Sequence, residues 1–139
     1  YLTNGDLANV SLKDYQGKKC LLNIVPSLDT PTCAASARKF NETVGGRQDA
    51  VCLVISADLP FAQSRFCSIE GLDNVYGLSM MKSKKFAKDY GVLIADGPLE
   101  GLSARAVVIV DEGGKVIYTQ LVPEIADEPD YAAAMQALG

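Results

Sequence analysis

Four cysteines and no histidine stand among the 139 residues. Without imidazole, Cys–His and Ser–His nucleophilic pairs are excluded, and so is any metal site that needs histidine. Cysteine chemistry in this chain must be activated by a helix terminus, a hydroxyl or a cation. Cys20, Cys33, Cys52 and Cys67 are separated by 13, 19 and 15 positions. No C-x-x-C pair occurs, so neither a vicinal redox dithiol nor a paired zinc knuckle is written here. Cys20 in Lys19-Cys20-Leu21-Leu22 and Cys52 in Val51-Cys52-Leu53-Val54 lie inside apolar runs and read as inert core. Cys33 and Cys67 have polar neighbours and are the candidates for chemistry.

The reactive form of cysteine is the thiolate, and a free thiol with a pKa near 8.5 is only roughly 3% ionised at pH 7. A helix N-terminus favours an anion by about 0.3–1 kcal/mol at exposed sites, less than one pKa unit, so a hydroxyl and a cation must add to it. Thr30 stands three positions before Cys33 and can bring its hydroxyl near the sulfur. The cation is lysine or arginine. Arg38 is five positions after Cys33, about 140° round a helix, and points away. Arg47 lies in a polar stretch, and Arg65 neighbours Cys67 on a second helix. Arg105, in Ser103-Ala104-Arg105-Ala106-Val107-Val108, starts an apolar strand, where a guanidinium needs a partner. A thiolate with the oxygens of a bound peroxide would serve; so would a carboxylate.

These residues need elements to position them. Hydrophobic residues make up 48% and charged residues 22%, which is globular composition and excludes a disordered or fibrous chain. Thirteen basic against seventeen acidic residues give a net charge of −4, a poor match to nucleic acid or an anionic membrane. No apolar run reaches the roughly 18 residues of a membrane span, and no signal-peptide pattern is found. The expected location is cytoplasmic; a periplasmic one stays open, because the chain begins at Tyr1 rather than methionine.

The run Lys18–Val25 reads as a buried central strand, and Ala50–Ser56 as a second. Between them, Thr30 caps a helix with Pro31 at its first position, running to about Thr43 and stopped by Gly45-Gly46. Its inward stripe is Cys33, Ala37, Phe40 and Val44, which places Cys33 in the first turn facing the core. Asp58 and Pro60 open another helix carrying Phe61, Ala62, Phe66 and Cys67 as far as Gly71. Val75–Leu78 follows as a strand, and Ser83–Tyr90 as a helix with Lys84, Lys85 and Lys88 outward. Ser103–Val110 and Lys115–Val122 form a hairpin about Asp111-Glu112-Gly113-Gly114, and a last helix covers Asp130–Leu138. The order is β-α-β-α-β-α-β-β-α after strand-like pieces in Tyr1–Tyr15 broken by Asn4-Gly5. That is an α/β fold with helices on both faces of a mixed sheet, in the arrangement of a thioredoxin-like sheet.

Pro26-Ser27-Leu28-Asp29-Thr30-Pro31-Thr32-Cys33 has the P-x-x-x-T-x-x-C form of the peroxiredoxin active site. The wider run Leu22–Thr30, Ser56-Ala57-Asp58-Leu59-Pro60-Phe61-Ala62, Arg65-Phe66-Cys67, Asp96-Gly97-Pro98-Leu99 and Glu128-Pro129-Asp130-Tyr131 resemble the bacterial thiol peroxidase subfamily. The departure is at the start: thiol peroxidases carry an additional N-terminal β-hairpin, of which this chain holds part. One domain over residues 1–139, with that hairpin truncated, is the organisation the resemblance implies.

The resemblance implies roles by position. Cys33 matches the peroxidatic cysteine, which attacks the O–O bond and becomes a sulfenic acid. Thr30 matches the hydroxyl that bonds peroxide and sulfur, Pro26 the residue that shields the site from water, and Arg105 the active-site arginine. Cys67 matches the resolving cysteine of the same chain; Cys20 and Cys52 match no catalytic position. The resemblance further implies hydrogen peroxide and organic hydroperoxides as substrates, thioredoxin as reductant, a homodimer, and no cofactor or metal. A disulfide needs Cα atoms within roughly 7 Å. An inward Cys33 in a first helical turn therefore implies local unravelling on oxidation. Two other readings exist: a thioredoxin-like redox sensor that switches without turnover, and a purely structural disulfide.

Overall fold

The computed structural model describes residues 1–45, 47–124 and 126–139. Strands β1 (Leu2–Thr3) and β2 (Asn9–Val10) make a short antiparallel pair. The turn between them is held by Asn4, whose side-chain oxygen accepts the Asp6 and Ala8 amides at 3.0 Å each, as Asx turns do. After a 3₁₀ turn at Leu12–Tyr15 come β3 (Lys19–Ile24), α1 (Pro31–Val44), β4 (Ala50–Ser56), α2 (Pro60–Glu70), β5 (Val75–Ser79) and α3 (Lys85–Asp89). The chain closes with β6 (Ala106–Val110), β7 (Val116–Leu121) and α4 (Tyr131–Leu138). The strands form one mixed sheet in the order β2-β1-β5-β4-β3-β6-β7. The β3–β4 and β4–β5 pairs are parallel; β3–β6 and β6–β7 are antiparallel.

The three buried runs sit together in the middle of the sheet because both their faces can be covered. Alternation along each strand sends residues to opposite faces. Leu21, Cys52, Val54, Val107 and Ile109 join the cluster under α1, α2 and α4. Cys20, Leu22, Ile24, Val51, Leu53, Ile55, Val108 and Val110 join the cluster under α3 and the N-terminal segment. The two cysteines read as core thus lie on different faces. Arg105 keeps the parity of Val107 and Ile109, which turns its side chain toward α1.

Helix α1 starts where its sequence says. Thr30 is the N-cap with an extended backbone, and its hydroxyl oxygen accepts the Cys33 amide at 3.4 Å. The stripe Cys33, Ala37, Phe40 and Val44 is buried, together with Ser36. Burying a side chain such as Phe40 is worth roughly 1.5–3 kcal/mol, so the body of α1 is fixed by packing. Gly45 is the C-cap; Gly46, the other half of the expected stop, lies outside the described residues. α2 ends at Gly71, whose left-handed conformation (φ 67°) a side chain would disfavour.

Apart from one-residue shifts at other ends, boundaries differ from expectation at α3, β6, β7 and the start of α2. α3 spans only Lys85–Asp89 instead of Ser83–Tyr90, because the Ser83 hydroxyl accepts the Lys85 amide and holds a turn there instead. β6 begins at Ala106 rather than Ser103. Ser103 pairs with Leu93 in an isolated bridge, and its hydroxyl donates to the Val25 carbonyl at 2.8 Å. β7 is trimmed to Val116–Leu121. Asp58 does not cap α2; Leu59 occupies that position, and the Asp58 carboxylate has other partners.

Candidate active site at the α1 N-terminus

The loop from β3 to α1 delivers Pro26, Thr30 and Cys33 to the carboxyl end of a central strand, at a helix N-terminus. Pro26 is buried and Cys33 is fully so, at 0% exposure. Arg105 comes from the opposite direction, immediately before β6, and is also at 0% exposure. Its Nη1 donates to Cys33 Sγ at 3.3 Å. Of the two partners open to a buried guanidinium at this position, a sulfur or a carboxylate, the sulfur is one it has. A charged donor on sulfur stabilises negative charge there more strongly than a neutral one does.

The other arginines are spoken for. Arg38 lies on the outer side of α1 and pairs with Glu70 at 3.3 Å. Arg47 chelates Asp49 at 2.9 and 2.7 Å, and this guanidinium holds the Asp49 carboxyl down at about 2. Arg65 is exposed.

Thr30 is placed differently from a simple donor to sulfur. Its hydroxyl donates to the Ser27 carbonyl at 3.0 Å and accepts the Cys33 amide at 3.4 Å. With its proton committed to Ser27, Thr30 can offer a further ligand only an oxygen lone pair, so it fits a partner that donates a proton. Arg105 and Thr30 therefore present complementary groups on either side of Cys33, a donor and an acceptor. Tyr131 of α4 stands close to the same guanidinium. It packs edge-on against Phe40 with centroids 5.2 Å apart and donates to Glu128 Oε1 at 2.8 Å. Burial first, and then the Glu128 bond and charge, push its phenol well above the usual range, while the charge of Arg105 pulls the other way.

Cys67 sits near the end of α2, partly buried at the margin of the cluster that contains Cys33. All four cysteines are free thiols. Burial pushes the Cys67 thiol up from its ordinary value. Cys52 is pushed up further, by burial and then by the charge of Cys67, which packs against the same core cluster. Four of the five expected site residues (Pro26, Thr30, Cys33 and Arg105) thus gather at the α1 N-terminus, Thr30 half-buried and the other three buried. Cys67 stands apart on another helix. Among the described residues, no group of three or more His, Cys, Asp or Glu could hold a metal ion, and no helix is long and apolar enough to cross a membrane.

Sequence reasoning missed the polar groups that hold this loop in place. Asn23, inside the buried run of β3, donates to the Ser36 hydroxyl at 3.2 Å, and Ser36 donates to the Cys33 carbonyl at 3.0 Å. Asp58 binds the loop itself. The signal was there in both cases. Asn23 is a polar residue in an otherwise apolar strand, and Asp58 is a carboxylate just past the end of a buried strand that finishes on Ser56.

A family model described as Redoxin matches residues 1–135. The thiol peroxidase of Corynebacterium glutamicum is 54% identical over 137 residues, covering 99% of this chain and 82% of the relative. That of Mycobacterium tuberculosis is 54% identical over 138 residues with the same coverage. Among solved structures, a peroxiredoxin-like protein from Aquifex aeolicus superposes with a TM-score of 0.88 at 40% identity, over 99% of this chain and 80% of that one. A thiol peroxidase from Chromobacterium violaceum gives 0.90 at 24% identity over 99% and 79%, a likeness of fold. With a family match over nearly the whole chain, and relatives this similar across their length, the chain belongs to the redoxin family, among the thiol peroxidases of the peroxiredoxin type.

Proposed function

We propose that this protein reduces peroxides with Cys33 and closes the cycle through an intrachain disulfide to Cys67. The observation that carries the reading is the buried Arg105 guanidinium donating to Cys33 Sγ at 3.3 Å, beside a Thr30 hydroxyl whose free capacity is to accept. A hydroperoxide, which carries one O–H to donate and oxygens to accept, matches that pair. The Cys33 thiolate attacks the terminal peroxide oxygen. An S–O bond forms and the O–O bond breaks. Sulfur loses two electrons, and the leaving oxygen takes a proton to depart as water or an alcohol. Arg105 holds the charge that moves from sulfur to the leaving oxygen, an electrostatic contribution typical of preorganised donors. Pro26 keeps water from the sulfur.

The Cys33 sulfenic acid is then attacked by Cys67: an S–S bond forms, the S–O bond breaks, and water leaves. Cys33 is fully enclosed and Cys67 belongs to a separate helix, so the first turn of α1 and the Cys67 end of α2 rearrange for the sulfurs to meet. A disulfide across a loop of about 35 residues restrains the unfolded chain by roughly 4 kcal/mol in the entropy model. The rearrangement works against that gain and keeps the bond reducible. A dithiol protein of the thioredoxin class returns both thiols and leaves oxidised. Hydrogen peroxide and organic hydroperoxides are the substrates, a homodimer is the working unit, and a reducing cytoplasm is the compartment that suits the recycling.

Mass spectrometry of the peroxide-treated protein tests this. A Cys33–Cys67 linkage is expected, abolished by Cys33→Ser; a bridge through Cys20 or Cys52 would overturn it. With Cys67→Ser, the first turnover stays within about twofold while sustained turnover on a dithiol reductant is lost. A stoichiometric response without turnover in the unaltered protein would mean a sensor. A Cys67→Ser protein that is merely less stable, with its peroxide chemistry unchanged, would mean a structural bond.

A further inference from the structure

The loop that carries Thr30 into α1 is held by its own turn about Ser27 and also from outside. Asp58, two residues past the end of β4, reaches across to it. One carboxylate oxygen accepts the Ser27 hydroxyl at 2.8 Å. The other accepts the Leu28 amide at 2.8 Å and the Ser56 hydroxyl at 2.7 Å. From Ser27 the bonding continues inward: the Ser27 carbonyl accepts the Thr30 hydroxyl, and the Thr30 oxygen accepts the Cys33 amide. Asp58 is thus bonded, through one residue, to the cap of the helix turn that contains the nucleophile.

The same carboxylate is tied to the other cysteine. Ser56 accepts the Gln63 side-chain amide at 3.0 Å, and Gln63 also donates to the Leu78 carbonyl at 3.0 Å. Gln63 is 1% exposed and, with Pro60, is one of two buried residues on α2. It stands one turn before Cys67 on the same face. Its close seat on the sheet exists because residue 77 is glycine; a Cβ there would meet Gln63 Cβ at 2.8 Å. The Asp58 backbone is fixed as well, its carbonyl accepting the Ser79 hydroxyl at 2.5 Å. Hydrogen bonds therefore run from α2 through Gln63, Ser56 and Asp58 to the Ser27 hydroxyl, and from the Ser27 carbonyl through Thr30 to the Cys33 amide.

We propose that Asp58 is a positioning residue for both cysteines, a clasp that holds the first turn of α1 and the Gln63 turn of α2 in the peroxide-reactive arrangement and must let go for the disulfide to form. This rests on the peroxidase reading given above. Hydrogen bonds to a charged acceptor are among the stronger ones, and a buried donor left without its partner is costly. The clasp consequently favours the closed site over the opened one. Its loss acts in opposite directions on the two half-reactions: attack on peroxide needs the closed site, whereas capture of the sulfenic acid by Cys67 needs the open one.

Asp58→Asn keeps the shape and one acceptor oxygen for the Leu28 amide and Ser56 hydroxyl, but it loses the charge and turns an NH2 toward the Ser27 hydroxyl, which can no longer donate there. Ser27→Ala removes one contact only and serves if the first variant folds poorly. Three readouts are compared with the unaltered protein: peroxide kcat/KM, the rate at which the Cys33 sulfenic acid is converted to disulfide at peroxide concentrations that make attack fast, and the site-resolved rate of Cys33 alkylation by iodoacetamide in the reduced protein. For Asp58→Asn we expect kcat/KM to fall about tenfold or more, Cys33 alkylation to rise by a similar factor, and disulfide formation to be no slower. Ser27→Ala should move all three the same way by less. Alkylation at the unaltered rate in both variants overturns the proposal, and so does a disulfide step slowed in parallel with peroxide attack, which is what a merely structural role would produce. Alkylation needs no peroxide. If the unaltered protein failed to turn over peroxide while Asp58→Asn still exposed Cys33, the peroxidase reading would fall and the clasp would stand.

Discussion

Helices α1 and α2 carry one candidate cysteine each and are held in opposite ways. α1 buries Cys33, Ser36, Ala37, Phe40 and Val44 along its 14 residues. α2 buries only Pro60 and Gln63 of its 11, and leaves Phe61 and Ile69 at 64% and 70% exposure. The body of α1 is thus fixed by apolar packing, and its first turn by the burial of Cys33 together with hydrogen bonds from Thr30, Ser27, Asp58, Ser36 and Asn23. α2 is attached by the buried Pro60 and Gln63 and by the half-buried Phe66 and Cys67. Segments with few buried apolar contacts open at lower free energy than the rest of a domain. Of the two parts required to move for a Cys33–Cys67 bond, α2 has little core packing to give up, whereas the first turn of α1 must also withdraw Cys33 from the core.

The largest test of this contrast is Arg105→Ala. It removes a fully buried side chain that touches Cys33, and nothing on the α2 side should replace it. Peroxide reactivity of Cys33, followed by stopped-flow, should fall about 10²–10³-fold, the size seen when one preorganised donor is lost. Arg105→Lys should recover part of it, since the charge returns without the planar fork. Basic residues remote from Cys33, such as Arg47 or Lys85, should have no comparable effect. An Arg105→Ala protein as reactive as the original would sever the site from the reading placed on it.

How much of this could be read from the chain follows the same division. The α1 side was legible because it is local. Thr30 before Pro31 writes a cap, the +4, +3, +4 stripe writes a buried face, and both put Cys33 in the first turn without tertiary information. Arg105 was half legible: an arginine opening an apolar strand demands a partner, but strand order and parity decide that the partner is Cys33 Sγ. The α2 side was not. Phe61 suggested an apolar face, yet the residue that anchors the helix is Gln63, and its anchoring depends on Gly77 of another strand. Asp58 read as a helix opener because acids do favour that position. Its real partners, Ser27 and Leu28, are about thirty positions away, and no periodicity reports such a contact.

A smaller effect probes the sheet beneath α2. Cys52 is fully buried in the cluster against which Cys67 packs, and burial raises both thiols above their ordinary value near 9. A thiol raised in the folded state is protonated there at a pH where the unfolded chain ionises it. Its contribution to stability is therefore complete below the unfolded value and shrinks as pH rises past it. The slope is up to about 1.4 kcal/mol per pH unit for each group. The reduced protein should thus lose stability between about pH 9 and 10.5 in urea titrations, and Cys52→Ala should flatten that loss after an offset at pH 7 for the small cavity. An alkaline slope identical in the variant would mean that Cys52 does not ionise on unfolding in that range, and that burial under α2 is looser than drawn.

The smallest effect belongs to an ion pair that joins the two helices directly. Arg38 on α1 meets Glu70 at the end of α2 at 3.3 Å, with side chains 47% and 32% exposed. It is the kind of contact one would name as a latch on α2, since it spans the two helices on their outer sides. Solvent and salt argue otherwise: exposed pairs of this sort are worth about 0.2–1 kcal/mol, often nothing measurable. Arg38→Ala should change the urea midpoint by no more than that, and should alter the rate of Cys33–Cys67 bond formation less than twofold. If the rate instead rose severalfold, the hold on α2 would lie at its solvent-exposed end. The hydrogen bonds running through Gln63 and Ser56 would then be packing detail, and the contrast between a core-fixed α1 and a polar-clasped α2 would have to be redrawn around surface charge.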